Sequence, residues 1–435
     1  MLYKIFIIVY SFSLLSGQSL FNRWIGTDPF IGSTRSTAMG NTHLLNSTGS
    51  QVSRYNPAGL SIVDSKIKLN FQLNRASVFE RWSMPVRDSF GEFLTHADYV
   101  ANEFNYYDIS LGIVSNFENL QKNKLINKIG FGLNYAPLTH FTYNYSEEVR
   151  GSYRIEDGEY ASKDPVVGYQ NLSTDGNLMV ASLGSGIQFN LLNKMNLSVG
   201  LAINFIQSTK LIDLIEVDTL YSQVSNLTTQ PDWNEESDLP NSNFVALSSN
   251  LKLNSNIIVG VSWEGNTNIT SNEYHWEVDT TNGLFKFWDG DSFVVNGINY
   301  IKPSNKSFAI SYNSNNNEDI SINFEINQIS YNEHTILQNY KQFKIGFEYI
   351  TQMGTPIRGG LVYRTSNLQR IKPGSIFTFG SGKTINNLII NYAGTYAFQS
   401  YNYPDLFIVE EDIRPENDLI RDSQLHLQLS IIYNF

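Results

Sequence analysis

Ile67-Lys68-Leu69-Asn70-Phe71-Gln72-Leu73 alternates apolar and polar residues without a break. That is the period of a strand with one apolar face and one polar face. The device recurs to the end of the chain, in segments centred on Tyr107–Ile113, Ile129–Tyr135, 178–191, 197–205, 245–253, 257–263, 308–312, 320–326, 343–349, 357–363, 375–380, 388–392 and 427–435. With the first segment this predicts fourteen strands, the one at 375–380 having the faintest pattern.

The connections carry a second signal. Those after strands 4, 6, 8, 10 and 12 are short (193–194, 254–255, 313–318, 351–354 and 381–386), and 116–127, after strand 2, is the longer member of this set. Those after strands 1, 3, 5, 7 and 13 run to about 25 to 40 residues, the sorting of short turns and long loops that transmembrane barrels show. A soluble sandwich has no physical reason to sort its loops by parity. The expected fold is therefore all-β: a 14-stranded antiparallel transmembrane β-barrel over 65–435, preceded by an N-terminal plug segment over 18–64. An even strand number puts both termini on the short-turn side, expected to be the periplasm.

Composition agrees. No stretch after the first 20 residues is long and apolar enough for a membrane helix. The 27 Phe and 25 Tyr suit aromatic girdles at two bilayer interfaces. A net charge of −11 argues against nucleic acid, and the absence of cysteine removes disulfides, thiolate metal sites and a lipoprotein anchor. Lys4, the apolar run 5–15 and the small Ser16-Gly17 read as a signal peptide over 1–17, cleaved before Gln18.

The polar row of the strands faces the lumen. It is rich in glycine (Gly112, Gly130, Gly132, Gly184, Gly186, Gly200, Gly260, Gly346, Gly360) and carries Lys66, Lys68, Asp108, Lys128, Glu325, Lys344, Glu348, Arg358 and Arg364. Glycine lets another backbone approach closely, so this wall suits a lumen filled by a folded plug; relief of barrel curvature is the other reading. The plug segment has glycines for tight turns, and its Asn56-Pro57 reads as a turn because Pro57 fixes its own φ and restricts the residue before it.

Two stretches of the plug form a motif: Gly32-Ser33-Thr34-Arg35, leading to Met39-Gly40, and Asn56-Pro57-Ala58-Gly59-Leu60. Together with the strand pattern and a C-terminal Phe435, two residues after Tyr433, this resembles the FadL-like outer-membrane transport superfamily. The resemblance implies passive transport of hydrophobic small molecules such as long-chain fatty acids or hydrocarbons. A neighbouring branch, the PorV/PorQ-type barrels, implies a scaffold or shuttle in type IX protein secretion. It also implies the outer membrane as location, Tyr433 and Phe435 as the signal read by the barrel-assembly machinery, and membrane lipid and lipopolysaccharide as surroundings. The acidic loop runs, such as Glu147-Glu148 and Glu410-Glu411-Asp412, are candidates for bridging cations on lipopolysaccharide or simply a solvated face. Loop aromatics Tyr143, Tyr145, Phe285, Phe287 and Trp288 are candidates for an external capture groove or, equally, for the interfacial aromatic belt.

No enzyme is expected. The histidines (His43, His96, His140, His275, His334, His426) lack metal-ligand spacing, and no nucleophile elbow or phosphate loop appears. No cofactor, metal or catalytic residue is predicted.

Overall fold

The computed structural model describes residues 19–27, 32–63, 66–118, 125–150, 166–191, 195–220, 233–269, 278–279, 284–285, 300–314, 319–331, 337–368, 371–407 and 417–435. The predicted signal peptide, and loop residues Phe287 and Trp288, lie outside them.

Fourteen antiparallel strands close into a barrel. They are β1 (Ile67–Arg87), β2 (Phe93–Glu118), β3 (Ile126–His140), β4 (Asn177–Asn190), β5 (Asn196–Ser208), β6 (Ser242–Lys252), β7 (Ile257–Glu264), β8 (Ser304–Ser314), β9 (Asp319–Ser330), β10 (Tyr340–Ile350), β11 (Pro356–Arg364), β12 (Gly374–Ile385), β13 (Leu388–Tyr403) and β14 (Asp418–Asn434). Closure runs from Lys68↔Asn434 to Ser83↔Leu419, and the Phe435 amide donates to the Ile67 carbonyl at 2.9 Å. The first and last strands are thereby paired with each other, leaving no open end to the sheet in the bilayer.

The barrel is inside out relative to a soluble protein. Leu69 and Leu429 are 43% and 40% exposed, whereas their neighbours Asn70 and Ser430 are 4% and 1% exposed. Water would not tolerate so continuous an apolar belt, and lipid requires it.

One connection differs from the expectation. The link after β1 is no long loop: β1 and β2, of 21 and 26 residues, form a hairpin that turns at 88–92. A bilayer needs only about 9–11 residues per strand, so the hairpin projects well beyond it. Its polarity inverts there. Ala76, Val78 and Trp82 face inward and are buried, while Arg75 and Arg81 face outward. The alternation that marks the membrane part cannot mark this part.

Other long connections also build structure. Tyr143–Arg150, Val166–Asp175, Leu211–Thr219 and Trp233–Ser237 form a four-stranded sheet at the long-loop end. At the opposite end the turns are tight. Asn254 caps one by accepting from the Asn256 and Ile257 amides, and Asn386 (φ 51°) makes another between β12 and β13.

The N-terminal segment folds into the lumen as short helices: α1 (Ser19–Ile25), α2 (Thr34–Ala38), α3 (His43–Asn46), α4 (Val52–Tyr55) and a 3-10 turn over Pro57–Ile62. Gly26, Gly32, Gly40 and Gly49 all have positive φ, which side chains resist, and so punctuate the helices. Ser33 caps α2 by accepting from the Ser36 amide at 3.3 Å.

Candidate functional site

The plug is pressed backbone to backbone onto the glycine wall. A Cβ on Gly346 would stand 2.1 Å from the Met39 carbonyl oxygen, and one on Gly360 would stand 2.1 Å from the Gly40 nitrogen. Across the lumen, Gly186 and Gly200 hold Pro57 and Ala58, Gly130 holds Leu60, and Gly132 and Gly184 hold Ser53. Gly112 meets Ser50 and Gly260 meets Leu45. Each lumen-facing glycine singled out from the sequence thus lies against the plug, and at Gly130, Gly186, Gly200, Gly346 and Gly360 a Cβ would run into plug backbone at 2.1–2.3 Å. Asn56 and Pro57 form the joint between α4 and the 3-10 turn. Asn56 Nδ2 donates to the Leu44 carbonyl, Asn250 donates to Asn56 Oδ1 at 3.2 Å, and the Ala58 amide donates to Ser248 Oγ at 2.8 Å. Gly59 packs on Val52 and Asn56, and Gly32 on Ser36 and His43.

Charges pin the plug at two further points. Arg35 grips Glu348 through Nε at 3.1 Å and Nη2 at 2.5 Å, and Arg358 Nε reaches the same carboxylate at 2.5 Å. Glu325, fully buried, accepts from the Leu44 amide at 2.9 Å and from Lys344 Nζ at 3.1 Å. His43 Nδ1 lies 3.1 Å from Lys344 Nζ. The same Nδ1 lies 3.2 Å from the Asn41 carbonyl oxygen, and burial pushes the imidazole down to about 4, so at neutral pH it is uncharged. Arg364 lies higher, with its guanidinium 6.0 Å from the Tyr340 ring centre. Lys68 is half-buried on the inward row; Lys66 precedes β1 and is exposed, at the rim rather than in the lumen.

Above the plug the lumen changes character. Leu20, Phe21 and Ile25 of α1 pack with Val78, Trp82, Phe104, Tyr143, Tyr145, Tyr403, Phe407 and Ile420. Tyr143 and Tyr145 are therefore no external capture groove: both are buried, because their sheet folds over α1. Arg23 ties α1 to that sheet through Asp213 at 2.5 Å. Between this apolar layer and the plug lies a cavity of about 170 Å³. Its lining includes Ile25, Leu138, Tyr106, Tyr300, Ile329, Tyr340 and Val362, with Arg54, Lys302, Lys344 and Arg364 against Glu264. Lys302 pairs with Glu264 at 3.4 Å and lies 4.0 Å from the centre of the Phe244 ring.

The wall beside this cavity is incomplete. β2 pairs with β3 only from Leu111↔Tyr135 to Glu118↔Lys128. Above Leu111, β2 continues on β1 alone, while β3 continues on β4. No ladder joins β2 to β3 there. The space is crossed by side chains and by the plug. Asp108 on β2 bonds to His140 Nε2 on β3, Tyr106 stacks on the His140 ring with centres 4.6 Å apart, and the Thr27 amide donates to the His140 carbonyl at 2.8 Å. Tyr106 and Leu138, one on each flanking strand, also line the cavity. On the lipid side the break meets an apolar groove of about 500 Å³ edged by Leu111, Leu133, Tyr135, Leu183 and Phe205. Sequence reading marked Asp108 as lumen-facing and left His140 among scattered histidines. Nothing local to either residue reveals the other, since their meeting depends on where strand pairing stops.

No family model matches the chain, and no curated protein does. Among solved structures it is similar to a FadL homologue of Pseudomonas aeruginosa, at 12% identity over 95% of this chain and 100% of that one, with a TM-score of 0.58. It is similar to the toluene transporter TodX of P. putida at 14% identity, over 94% and 99% of the two chains, with a TM-score of 0.52. The toluene transporter TbuX of Ralstonia pickettii gives 13% identity, 94% and 100% coverage and a TM-score of 0.50. At such identities the likeness is one of fold: the chain shares their barrel fold, here fourteen transmembrane strands with the N-terminal segment folded into the lumen as a plug.

Proposed function

We propose that the chain is an outer-membrane channel that passively admits hydrophobic small molecules and releases them through its wall. The observation that carries this reading is the break between β2 and β3, bordered by an internal cavity on one side and an apolar groove on the other. The plug fills the lumen below, so a route down the barrel axis meets backbone packed on glycine. A lateral route meets the Asp108–His140 bond, the Tyr106 ring and Thr27. The proteins of similar fold, a FadL homologue and two toluene transporters, lend the reading support. Among hydrophobic cargoes, the cations lining the cavity favour an amphipathic acid such as a long-chain fatty acid over a plain hydrocarbon: the carboxylate would meet Arg54 or Arg364 while the tail lies on the aromatic side. The C-terminus is assigned to the periplasm, and Tyr433 and Phe435 to recognition by the assembly machinery; α1 at the other end of the chain lies instead in the upper lumen, against the long-loop sheet.

The test uses the absence of native cysteine. Cysteines replacing Asp108 and His140 are joined in the outer membrane by a short, reducible thiol cross-linker. Uptake of a fluorescent long-chain fatty acid should fall to the level of cells lacking the protein and return on reduction. Uptake unaffected by the bridge would remove the lateral route. If deletion of the protein leaves uptake unchanged but traps secreted proteins in the periplasm, the secretion-scaffold reading replaces this one.

A further inference from the structure

Glu80 on β1 and Asp422 on β14 stand directly opposite each other in the strand register, and both are fully buried in the apolar layer above the plug. Like charges set opposite each other across two strands destabilise a sheet, and burial adds desolvation to the repulsion. Among the described residues their partners are uncharged donors. Glu80 Oε1 accepts from Trp82 Nε1 at 2.7 Å, Tyr143 Oη at 2.8 Å and Asn102 Nδ2 at 3.4 Å, and its Oε2 accepts from Ser19 Oγ at 2.8 Å. Asp422 is bonded by the Ser19 nitrogen, the Ser19 hydroxyl and the Gln424 side chain. The hydroxyl of Ser19, the first residue of α1, thus lies between the two acids, and a hydroxyl has one hydrogen. It can donate to one carboxylate alone. A proton on Asp422 completes the chain: Asp422 donates to Ser19 Oγ, which donates to Glu80. Two ionised carboxylates would leave one of them facing a lone pair.

We infer that Glu80 and Asp422 share one proton through Ser19, and that this proton clasps α1 to the barrel wall: when it leaves, two charges face each other behind the helix and α1 lifts away. The other titratable groups facing the pair are Tyr143 of the long-loop sheet, Tyr401 of β13 and Tyr106 of β2. Burial holds the Tyr143 and Tyr401 phenols above their ordinary range, so they stay neutral where carboxyls titrate. Arg23, the cation of α1, lies one turn away and is bound to Asp213 at 2.5 Å. Burial pushes both carboxyls up, and Glu80 adds to the push on Asp422, which reaches about 7. An exposed carboxyl loses its proton near about 4. Docking of α1 is therefore firm below about 4 and weakens as pH rises to about 7, the sign opposite to that of the buried His43 imidazole. Asn22 and Ile25 of α1 line the cavity, so release of the helix unroofs it. The clasp rests on where α1 sits and not on what the barrel carries.

The experiment places one thiol in the cysteine-free chain, by Leu20→Cys at a fully buried position of α1. The folded barrel is recognised by its heat-modifiable gel band. Its labelling by a thiol reagent is followed from about pH 5 to about pH 8, across the range in which the proton is lost. Each rate is divided by that of the same protein unfolded at the same pH, which removes the thiol's own titration. The normalised rate should climb at least about tenfold over this range. Asp422→Asn, neutral throughout, should make the profile level. Glu80→Gln serves as the second variant should Asp422→Asn fail to give the compact band, and it too should level the profile, since one charge alone has donors enough to stay buried. Infrared spectra at neutral pH give an independent readout: the intact protein should show a protonated-carboxyl band that the variants lack. A level profile in the Leu20→Cys protein, an equal rise in the variants, or identical infrared spectra would each overturn the clasp.

Discussion

The two ends of the lumen are built on opposite rules, although the same strands supply both. Toward the short turns, the inward row of β1 reads Asn70, Gln72, Asn74, and glycines on β3, β4, β5, β10 and β11 admit the plug backbone to contact. Toward the long loops the same row reads Ala76, Val78, Glu80, Trp82, and the space is filled by α1 and aromatic rings. The lower end has the features of a stopper: backbone on backbone, with Arg35 and Glu325 pinned to opposite partners. The upper end has the features of a vestibule: apolar, partly hollow and open to the wall at β2 and β3. The lesson is that the plug closes the axis while the cavity and the wall break lie above it, so a passage for apolar cargo can exist without an open pore.

The strongest way to break the comparison is to remove the frame that both ends share. Deleting the final ten residues strips β14 from β1 and β13 along the membrane part. Unpaired backbone groups in hydrocarbon cost several kcal/mol each, so the compact heat-modifiable band should vanish altogether. A band that persists would mean that the barrel closes in another way.

A second variant pair sharpens it at a single step of sequence. Gly360 touches the Gly40 backbone, whereas a Cβ on its neighbour Gly359 would meet only the Thr378 carbonyl oxygen, at 3.8 Å. Gly360→Val should displace the plug, costing more than the roughly 1–3 kcal/mol usual for overpacking because neither backbone can yield. Gly359→Ala should change little. Protease cutting within the plug and the urea midpoint of the purified barrel report both; equal effects would mean that the wall does not grip the plug.

Much of this contrast was legible before any coordinates. Alternation marked fourteen strands because lipid outside and polar plug inside impose opposite chemistry on successive residues. The lumen glycines pointed to a backbone neighbour for the same reason. What was not legible lies where that rule stops. Beyond the bilayer the exterior is water and the interior apolar, so Val78 and Trp82 fall on the face that carried asparagines, and the long β1–β2 hairpin reads as a loop. Tyr143 and Tyr145 looked like surface aromatics because nothing local announces that their sheet folds inward over α1. The Asp108–His140 crossing depends on pairing that ends at Leu111, a property of two strands together.

A smaller effect is expected from acid. The His43 imidazole titrates near 4 in the fold and near its ordinary 6.5 when unfolded. The unfolded chain therefore takes up the proton first, and stability should decline as pH falls from 6.5 toward 4, by up to about 3 kcal/mol. His43→Gln should flatten that part of the urea-midpoint profile; an unchanged profile would place the pH dependence elsewhere. The smallest effect is expected at the stopper's rim. Arg35, whose side chain is 24% exposed, shares Glu348 with Arg358, so Arg35→Ala should cost about 1–2 kcal/mol in the same assay, less than Glu348→Gln, which strands two guanidiniums. No cost for Arg35→Ala would show that Arg358 alone holds the carboxylate.

The central claim is that the axis is closed and cargo leaves by the wall. Ion conductance of the purified barrel in a planar lipid bilayer tests the first half without any substrate. The intact chain should insert with no steady ohmic current, and deletion of residues 32–63 should open a large, persistent pore. A stable open-pore current through the intact protein would contradict the account.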